Sequence, residues 1–575
     1  MVRTLDDVQE LGEPVSKGVA ELSPQAWITR CSPPLRSHTT GPLAGLTFAV
    51  KDNMNVAGIA TTAGCTAFAF VPDEHAVVVH KLLAAGATLV GKTNLDQFAC
   101  GLNGTRSPYG AVPNAFDADY VSGGSSSGSA YVVATGQVDF ALGTDTAGSG
   151  RVPAGLNNIV GLKPTKGLIS TRGVLPAAQS VDCVSVFART VDMAAKVLQV
   201  LAGYDAQDAY SRQLELDAQA WGASFKFGVP STLKFFGDTL AEAAFNKSVG
   251  QLKALGGVAV TIDYTPLAAA ADLLYNSAMV AERYAAIKPF FDAHEAEVIE
   301  PVRSIIAKGR DYSAANLYAA QTLLRGYGQQ AAAMWNDIDV LLVPTAPTHY
   351  TIAHMQADPV ALNRNLGEYT NFVNLLDYAA ISVPSSLRDD GLPFGVTLIG
   401  PCASDWQLAD LGQRLHQSTG LKLGSTELNL PEAQLIHGLA AIKKEATMAL
   451  AVVGAHLTGM PLNNQLAERR ALLVQTTTTA AHYRLYALPN TTPPKPGLKR
   501  VDSGGAAIAV EVWDVPLAQI GSFLALIPAP LGLGKVELAD GRWVTGFICE
   551  GFALDAAQDV TAFGGWRAYV QSLKK

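Results

Sequence analysis

The chain has 575 residues, and its 42 Lys and Arg against 50 Asp and Glu give a formal net charge of −8. Hydrophobic residues make up 49% and charged residues 16%, which excludes a disordered chain and indicates a large core, with more than one domain at this length. A net acidic chain without a basic block argues against nucleic acid as a partner. The N-terminal residues lack the pattern of a signal peptide, and the two long uncharged stretches, 120–138 and 515–534, are too rich in Ser and Gly or in Pro for a membrane span.

Six cysteines are scattered along the sequence without a CxxC pair: Cys31, Cys65, Cys100, Cys183, Cys402 and Cys549. This usage favours reduced thiols over disulfides or a zinc site, and it predicts a cytoplasmic protein. No ligand cluster points to a metal, and we expect no cofactor.

Strand and helix patterns alternate from about residue 40. The apolar run Leu46–Val50 predicts a buried strand, and Ala76–Ala85 predicts a helix that ends at Gly86 before a strand at Thr88–Val90. Further elements are predicted along the chain: strands at Val340–Val343 and Phe394–Ile399, and helices at Ala268–Ala286 and Tyr312–Trp335. Strands separated by helices predict an α/β domain with a mostly parallel or mixed sheet.

The texture of the sequence changes at the polar stretch Ser425–Glu432. Beyond it the patterns predict short strands: Ala449–Val453, His482–Ala487, Ala507–Val512, and a hairpin over Lys535–Glu550 that turns at Asp540 and Gly541. In the hairpin, one set of side chains alternates with more polar positions: Val536, Leu538, Trp543, Thr545 and Phe547. We therefore predict an α/β domain over 1–426, a linker over 427–446 and a smaller β-rich domain over 447–575.

Two segments are rich in glycine and serine: Ser122–Ala130 (SGGSSSGSA) and Gly143–Arg151 (GTDTAGSGR). Such segments are often flexible linkers, but the apolar residues that flank these two suit packed elements. A phosphate-binding loop is a second alternative, although no GxxxxGK[ST] or GxGxxG pattern accompanies it. We favour a catalytic loop.

The segment Gly124–Gly128 also matches G-x-S-x-G, the nucleophile elbow of α/β-hydrolases. An elbow needs a strand directly before it and an Asp and a His downstream. Residues Asn114–Ser122 do not make a convincing buried strand, so the match is weak. An esterase of that fold remains an alternative.

Three blocks together resemble the amidase signature family: LTFAVKDN at 46–53, SGGSSSGSA at 122–130 and GTDTAGSGRVPA at 143–154. The resemblance covers roughly residues 40–420 and implies a mixed central sheet covered by helices, with the hydrolysis of an amide as the activity. By position, it implies Lys51 as the catalytic lysine, Ser125 as a bridging serine and Ser149 as the nucleophile. It also implies a cis peptide bond before Ser125.

The chemistry explains these residue types. A serine hydroxyl is a weak nucleophile that needs a nearby base, and a lysine is a base only when it is neutral. Burial of Lys51 after an apolar strand would lower its pKa, and Ser125 can relay a proton because a hydroxyl both donates and accepts. Backbone N–H groups before the nucleophile are expected to form the oxyanion hole: those of Thr146, Ala147 and Gly148. We interpret Asp145 and Arg151 as a structural pair around this loop.

A second resemblance, to allophanate hydrolases, extends over nearly the whole chain through the block NLDQFACGLNGTRSPYG at 94–110 and the separate C-terminal domain. It implies that Tyr275 and Arg283, eight residues apart on one helix, hold the substrate, with Gly101 as a further substrate-binding residue. A guanidinium can hold a carboxylate with two hydrogen bonds, although Arg283 could instead pair with an acid such as Glu282. The implied reaction releases ammonia from allophanate and leaves N-carboxycarbamate, which goes on to ammonia and carbon dioxide.

For that later step the resemblance implies His456, in the segment Val453–Pro461 (VGAHLTGMP), although a packed core histidine is an equal alternative. The resemblance also implies a homodimer, and it makes a urea carboxylase or a cyanuric-acid pathway enzyme the source of the substrate. Within the same fold, the alternatives are a general amidase and one component of an amidotransferase. A non-catalytic binding protein, by contrast, would not be affected by the loss of Ser149.

Overall fold

The computed structural model of the chain describes residues 22–436, 447–469 and 471–573. These residues form two compact units that divide near residue 440. The first is an α/β domain with a large mixed sheet and the second is smaller and β-rich, which confirms the predicted fold class. In the part of the chain described, no helix is long and apolar enough to cross a membrane.

The first unit is built on one sheet, whose eleven strands all lie within residues 22–436. They are β1 (Trp27–Leu35), β2 (Thr47–Lys51), β3 (Thr88–Thr93), β4 (Phe140–Asp145), β5 (Val160–Lys163), β6 (Cys183–Ala188), β7 (Phe225–Pro230), β8 (Gly257–Ile262), β9 (Val340–Pro344), β10 (Ala379–Leu387) and β11 (Pro393–Gly400). Their order across the sheet is β1-β3-β2-β4-β6-β5-β10-β11-β9-β7-β8. β2 is parallel to β3 and β4, and β7 is parallel to β8 and β9, whereas the other neighbours are antiparallel.

Helices cover both faces of this sheet. Within residues 22–436 they are α1 (Val77–Ala84), α2 (Ser127–Ala134), α3 (Val152–Leu156), α4 (Val191–Leu201), α5 (Thr239–Ala254), α6 (Thr265–Asn276), α7 (Ala281–His294), α8 (Val302–Ala307), α9 (Ala314–Ala332), α10 (Ile352–Ala357), α11 (Ala361–Leu366), α12 (Phe372–Leu375) and α13 (Asp405–Thr419). Phe140 and Leu142 of β4 pack in the main core with α1, α4 and α13, and Ala141 between them packs with α2 on the other face. Because successive strand residues point to opposite faces, every residue of β4 is buried.

The parallel pairing of β2 and β4 brings two strand ends together. β2 ends at Lys51, β4 ends at Asp145, and Val50 lies beside Leu142 in the register. α2 begins at Ser127, directly after the first Gly- and Ser-rich turn. Since the carboxyl ends of parallel strands meet at the same edge of a sheet, this edge gathers the three sequence blocks.

The single helix predicted over Ala268–Ala286 is wrong, because the chain forms two helices there. α6 ends at Asn276, and Ser277 is extended, with φ −138° and ψ −179°. The Ser277 hydroxyl donates to the Leu273 carbonyl at 2.5 Å. A serine that bonds to the backbone in this way competes with the helical pattern, and α7 starts only at Ala281.

The second unit contains two sheets within its described residues. Its strands and helices are β12 (Thr447–Val452), α14 (Asn464–Ala467), β13 (Leu472–Thr478), β14 (Tyr483–Ala487), β15 (Pro496–Arg500), β16 (Ala509–Pro516), α15 (Leu517–Leu524), β17 (Leu531–Glu537), β18 (Trp543–Cys549), β19 (Gln558–Asp559) and α16 (Trp566–Ser572). The larger sheet has the order β13-β16-β12-β18-β17, and the smaller has the order β15-β14-β19. Leu450 and Val512 of the larger sheet share one core with Leu485 of the smaller.

The predicted hairpin is present as β17 and β18, but its buried face differs from the expectation. Val536 and Leu538 are buried, whereas Trp543 is half exposed and the neighbouring Val544 takes the buried position. The Trp543 ring instead lies under the guanidinium of Arg500, 5.2 Å from its carbon to the ring centre. This cation–π contact keeps the indole at the surface.

The linker predicted over 427–446 is described only as far as residue 436. Up to that point it packs on the first unit, because Ile436 is buried in its core and the Gln434 carbonyl accepts from Gln413 Nε2 at 2.8 Å. Residues 437–446 lie outside the described residues.

A buried ion pair fixes the chain directly after β2. Lys92 Nζ of β3 lies 2.9 Å from Asp52 Oδ1, and both side chains are fully buried. Lys92 also donates to the Ala60 carbonyl and to Thr61 Oγ1, both at 2.8 Å. Burial lowers the Lys92 pKa, and the Asp52 carboxylate opposes that shift.

We predict that Lys92→Met lowers the free energy of unfolding by about 3–5 kcal/mol, because it leaves Asp52 buried without a cation. Urea unfolding followed by circular dichroism measures the change. The control is Lys288→Met, whose partner Asp292 is exposed, as Lys288 itself is; its unfolding midpoint should stay near that of the wild type. Equal midpoints for the two variants would contradict this account of the pair.

Candidate active site

Three side chains form a hydrogen-bonded row at the edge where β2 and β4 end. Lys51 Nζ lies 2.8 Å from Ser125 Oγ, and Ser125 Oγ lies 2.9 Å from Ser149 Oγ. All three residues are buried, with at most 2% of their surface exposed. The lysine and the two serines that the resemblance singled out therefore lie together, in the order in which a proton would pass.

Lys51 is held in an environment that favours its neutral form. Its Nζ also donates to Thr144 Oγ1 at 2.8 Å. Burial lowers the Lys51 pKa from 10.5 to about 7, since desolvation disfavours the ammonium, and the positive charge of Arg283 adds to the shift. Three carboxylates oppose it: Asp96, Asp182 and Asp145. A large share of Lys51 is therefore uncharged near neutral pH and able to accept a proton.

Asp96 holds the turn that carries Ser125. The Gly124–Ser125 peptide bond is cis, the form that the resemblance implied. The Asp96 N–H donates to the Ser125 carbonyl at 3.0 Å, and a Cβ at Gly124 would lie 2.2 Å from Asp96 Oδ2. The carboxylate is itself satisfied by three backbone amides, those of Asn103, Gly104 and Arg106. Glycine is therefore required at 124, because the Asp96 carboxylate packs directly against its backbone.

The loop before Ser149 carries the expected oxyanion donors, with one correction. The Gly148 amide donates to Asp145 Oδ1 at 2.9 Å. The expectation for Gly148 is wrong, because an amide bonded to a buried carboxylate is not free to meet an oxyanion. The amides of Thr146 and Ala147 form no hydrogen bond with another described residue, so these two remain as candidate donors.

Asp145 and Arg151 form the predicted pair beneath this loop. Nε and Nη2 of Arg151 donate to the two Asp145 oxygens at 2.8 and 2.9 Å, and both side chains are fully buried. Burial acts to raise the Asp145 pKa, but the guanidinium outweighs it and holds the pKa below its ordinary value. Gly148 has φ +135°, and a Cβ there would lie 2.3 Å from Thr370 Oγ1, so only glycine fits.

Asp182 holds the same loop, although the sequence analysis did not single it out. The Thr146 hydroxyl donates to Asp182 Oδ1 at 2.5 Å, and the amides of Ala177 and Ala178 donate to the same carboxylate. Burial raises the Asp182 pKa to about 6. No motif marks Asp182, which lies just before β6, and only the fold brings it to Thr146.

Tyr275 in α6 and Arg283 in α7 contact each other across the break at Ser277. Arg283 Nη2 donates to the Tyr275 hydroxyl at 3.0 Å, and the guanidinium carbon lies 5.1 Å from the tyrosine ring centre. Arg283 is only 4% exposed, and its Nε and Nη1 have no hydrogen-bond partner among the described residues. Glu282, the alternative partner, accepts instead from the amide and hydroxyl of Ser180.

The Tyr275–Arg283 pair lies close to the serine row. The charge of Arg283 lowers the pKa of Lys51, and Tyr275 packs in one small apolar cluster with Ala147 of the oxyanion loop. Among the described residues, no group of three His, Cys, Asp or Glu side chains is placed to hold a metal ion. The chemistry available at this site is therefore that of a serine, a neutral lysine and a buried cation.

Gly101 also lies at the nucleophile. Its carbonyl accepts from Ser149 Oγ at 3.4 Å, and a Cβ at Gly101 would lie 2.4 Å from Asp96 Oδ2. The same carboxylate that packs against Gly124 thus also packs against Gly101, which places a backbone carbonyl beside the reacting hydroxyl.

The nucleophile-elbow interpretation of Gly124–Gly128 is wrong. Ser126, which would be the nucleophile, donates to the Thr144 carbonyl at 3.2 Å and accepts from the Thr144 amide at 3.3 Å. The stretch 114–122 contributes isolated bridges and no strand of its own. The hydroxyl in the row with Lys51 belongs to Ser125.

His456 lies in the second unit, in the turn after β12. Its Nε2 lies 2.9 Å from Gln465 Oε1. The imidazole stacks on Phe547, with ring centres 5.1 Å apart, and meets Phe523 edge-on at 5.3 Å. Burial lowers the His456 pKa. His456 is thus part of a separate candidate site and not of the serine row.

Comparisons with known proteins agree with this architecture. Residues 20–409 match the family described as Amidase, and residues 448–571 match the Allophanate hydrolase C-terminal domain. The chain is 44% identical over 551 residues to the urea amidolyase of Saccharomyces cerevisiae, which covers 93% of this chain and 30% of that protein. It is 34% identical over 438 residues to one subunit of the glutamyl-tRNA(Gln) amidotransferase of a Synechococcus species, which covers 69% of this chain and 87% of that relative.

A solved structure is also similar: the allophanate hydrolase of Kluyveromyces lactis matches with a TM-score of 0.68 and 42% identity, over 92% of this chain and 88% of that one. The fold and these matches define the class, an amidohydrolase that acts on carbon–nitrogen amide bonds. The chain belongs to the amidase family, with an allophanate hydrolase C-terminal domain behind its amidase domain. It spans 30% of the length of the yeast urea amidolyase that it matches.

We predict that Ser125→Ala lowers kcat by about 100-fold or more, because Ser149 loses its hydroxyl link to Lys51. Ser126→Ala removes a neighbouring buried hydroxyl that bonds only to the Thr144 backbone, and it should keep kcat within about tenfold of the wild type. Steady-state ammonia release from an amide substrate measures both. The opposite ranking of the two variants would restore the elbow interpretation.

Proposed function

We propose that this chain hydrolyses allophanate (urea-1-carboxylate) by serine acyl transfer, with Ser149 as nucleophile, Ser125 as proton relay and Lys51 as base. One observation carries the choice of substrate: Arg283 is a buried guanidinium with two unpartnered nitrogens near the serine row. Buried donors are normally satisfied, so open ones suit the acceptor atoms of a ligand. Allophanate carries a carboxylate next to the urea group that is cleaved, and the similarity to a solved allophanate hydrolase supports the choice.

In this proposal the substrate carboxylate accepts from the open N–H groups of Arg283. The Tyr275 hydroxyl, which already accepts from Arg283, donates its own proton to the substrate. Burial raises the Tyr275 pKa, so the phenol keeps that proton. A charge-assisted contact at one end of the molecule then fixes the position of the amide at the other end.

The chemical steps follow the row of side chains. Ser149 Oγ attacks the amide carbon while its proton passes through Ser125 to Lys51, and the amides of Thr146 and Ala147 donate to the oxyanion. Lys51 then returns the proton through Ser125 to the leaving nitrogen, and ammonia departs from the acyl-enzyme. Water attacks the acyl group by the same route and releases N-carboxycarbamate.

We assign the loss of carbon dioxide from N-carboxycarbamate to the C-terminal unit, with His456 as the residue that handles the proton. The match at residues 448–571 supports a specific role for this unit, and the oriented imidazole of His456 supports its site. Decay of N-carboxycarbamate gives a second ammonia, so one allophanate yields two.

A general amidase or one component of an amidotransferase is the alternative within the same fold. The amidotransferase relative shares 34% identity with this chain, so the serine chemistry would be common to both. The C-terminal domain match and the open donors of Arg283 favour allophanate. Neither feature is needed for a simple aliphatic amide.

The proposal extends to the source of the substrate and to the setting of the enzyme. A urea carboxylase or a cyanuric-acid pathway enzyme would supply allophanate, and the name of the urea amidolyases that this chain matches supports a connection with urea. We further propose a cytoplasmic homodimer that needs no cofactor and no nucleic-acid or membrane partner.

The test compares allophanate with a simple aliphatic amide in the wild type and in Arg283→Met. The wild type should release about two ammonia per allophanate, and Arg283→Met should lose about 100-fold in kcat/KM for allophanate and far less for the aliphatic amide. Circular dichroism checks the fold, and Arg303→Met, at an exposed arginine paired with Glu300, is the control. Turnover of the aliphatic amide but not of allophanate would keep the serine chemistry and refute the substrate.

A further inference from the structure

A pocket lies in the C-terminal unit where the turn after β12, the start of β15, the segment after α15 and β18 meet. Apolar side chains form most of its wall, among them Leu526, Leu531 and Phe547. Its two ionisable residues are His456 and Lys495. A pocket with this lining can hold a small molecule that is partly apolar and partly charged.

His456 enters this pocket in a fixed orientation. The contacts with Phe547 and Phe523 set the plane of the imidazole, and the hydrogen bond to Gln465 occupies Nε2. Nδ1 forms no hydrogen bond with a described residue, so it is available to a ligand. An imidazole that is oriented by one ring nitrogen and open at the other is suited to proton transfer.

Lys495 supplies a cation at the same pocket. Its Nζ forms no hydrogen bond or ion pair with a described residue, and its charge is close enough to His456 to help lower the imidazole pKa after burial. Tight packing fixes this neighbourhood, because a Cβ at Gly454 would lie 2.3 Å from Pro496 Cδ. The backbone two residues before His456 therefore lies directly against the residue after Lys495, which explains why glycine precedes Ala and His in this turn.

We propose that this pocket binds a small dicarboxylate anion and that Lys495 pairs with one of its carboxylates. A cation without an acidic partner in a mostly apolar pocket selects an anion, because a desolvated carboxylate needs a charge of opposite sign. The second carboxylate then lies against the apolar wall near Leu526 and Leu531. The identity of the natural ligand rests on the proposed function, since N-carboxycarbamate is a dicarboxylate of this size.

This arrangement suits decarboxylation. The carboxylate at the apolar wall leaves as carbon dioxide when its bond to nitrogen breaks, and the electron pair stays on the nitrogen. The nitrogen takes up one proton, which His456 delivers and regains from water. The dianion and one proton thus become carbon dioxide and the carbamate anion, which stays paired with Lys495 until it leaves. An apolar wall favours the step, because the charge of the departing carboxylate is lost to the nitrogen side.

Malonate tests the pocket directly, since it has the same spacing of carboxylates, with CH2 in place of NH, and it does not lose carbon dioxide under these conditions. The readout is the imidazole 13C signal of His456 in the full chain, assigned by its absence in His456→Ala. Malonate should shift this signal saturably in the wild type. Lys495→Ala should raise the apparent Kd at least about tenfold, and Lys495→Arg, which keeps the charge, should stay within about threefold.

Lys499→Ala is the matched control, because Lys499 lies exposed in β15 and outside the pocket lining. It should titrate as the wild type does. The proposal is overturned if malonate does not shift the His456 signal, or if folded Lys495→Ala binds malonate as tightly as the wild type. Failure of the proposed function has a different signature, the absence of ammonia release from allophanate by the wild type, and malonate binding does not depend on it.

Discussion

The burial of one lysine is the constraint on which the rest of this site depends. Lys51 can activate a serine only as an amine, yet three carboxylates nearby favour its ammonium form. Desolvation outweighs them and brings the pKa to about 7. The carboxylates are themselves engaged: Asp145 is paired with Arg151, and burial raises the Asp182 pKa to about 6. The fold therefore lowers the basicity of the lysine by removing water and limits the opposing negative charge with partners of its own.

Buried charges of this chain serve geometry. Only 16% of the residues are charged, and two fully buried ion pairs flank the lysine, one directly after β2 and one at the end of β4. Such pairs contribute little net stability, but the loss of one partner is costly, so each fixes the loop that it joins. Arg283 is different, because it is buried with part of its guanidinium unpartnered. We infer that its missing partner is the substrate.

Most of the fold class and the serine row could be predicted from the sequence, because both follow from local signals. Apolar runs with clear ends predicted β2, β3, β9 and β11, and three contiguous blocks carried Lys51, Ser125 and Ser149. The failures have long-range causes. The Gly148 amide is taken by the Asp145 carboxylate, and the α6–α7 break depends on the hydroxyl of one serine in an alanine-rich, helix-like stretch.

Residues without a motif were missed for the same reason. Asp182 and Asp96 act through contacts with Thr146 and Ser125 that only the folded chain creates. Trp543 has the hydrophobicity of a core residue, but its neighbour Val544 occupies the buried position. Periodicity cannot tell which of two adjacent apolar residues faces inward, since a shift by one residue exchanges the faces of a strand.

The state of Lys51 can be measured directly. A 13C NMR titration of the lysine Cε signals, with Lys51 assigned by its loss in Lys51→Arg, gives its pKa in the folded enzyme. The account predicts a midpoint near 7, with the amine present above it and the ammonium below it, so that activity falls as the pH drops through this range. A midpoint near the ordinary value of about 10.4 would contradict the account, because the lysine would then remain charged and could not accept the proton of Ser149.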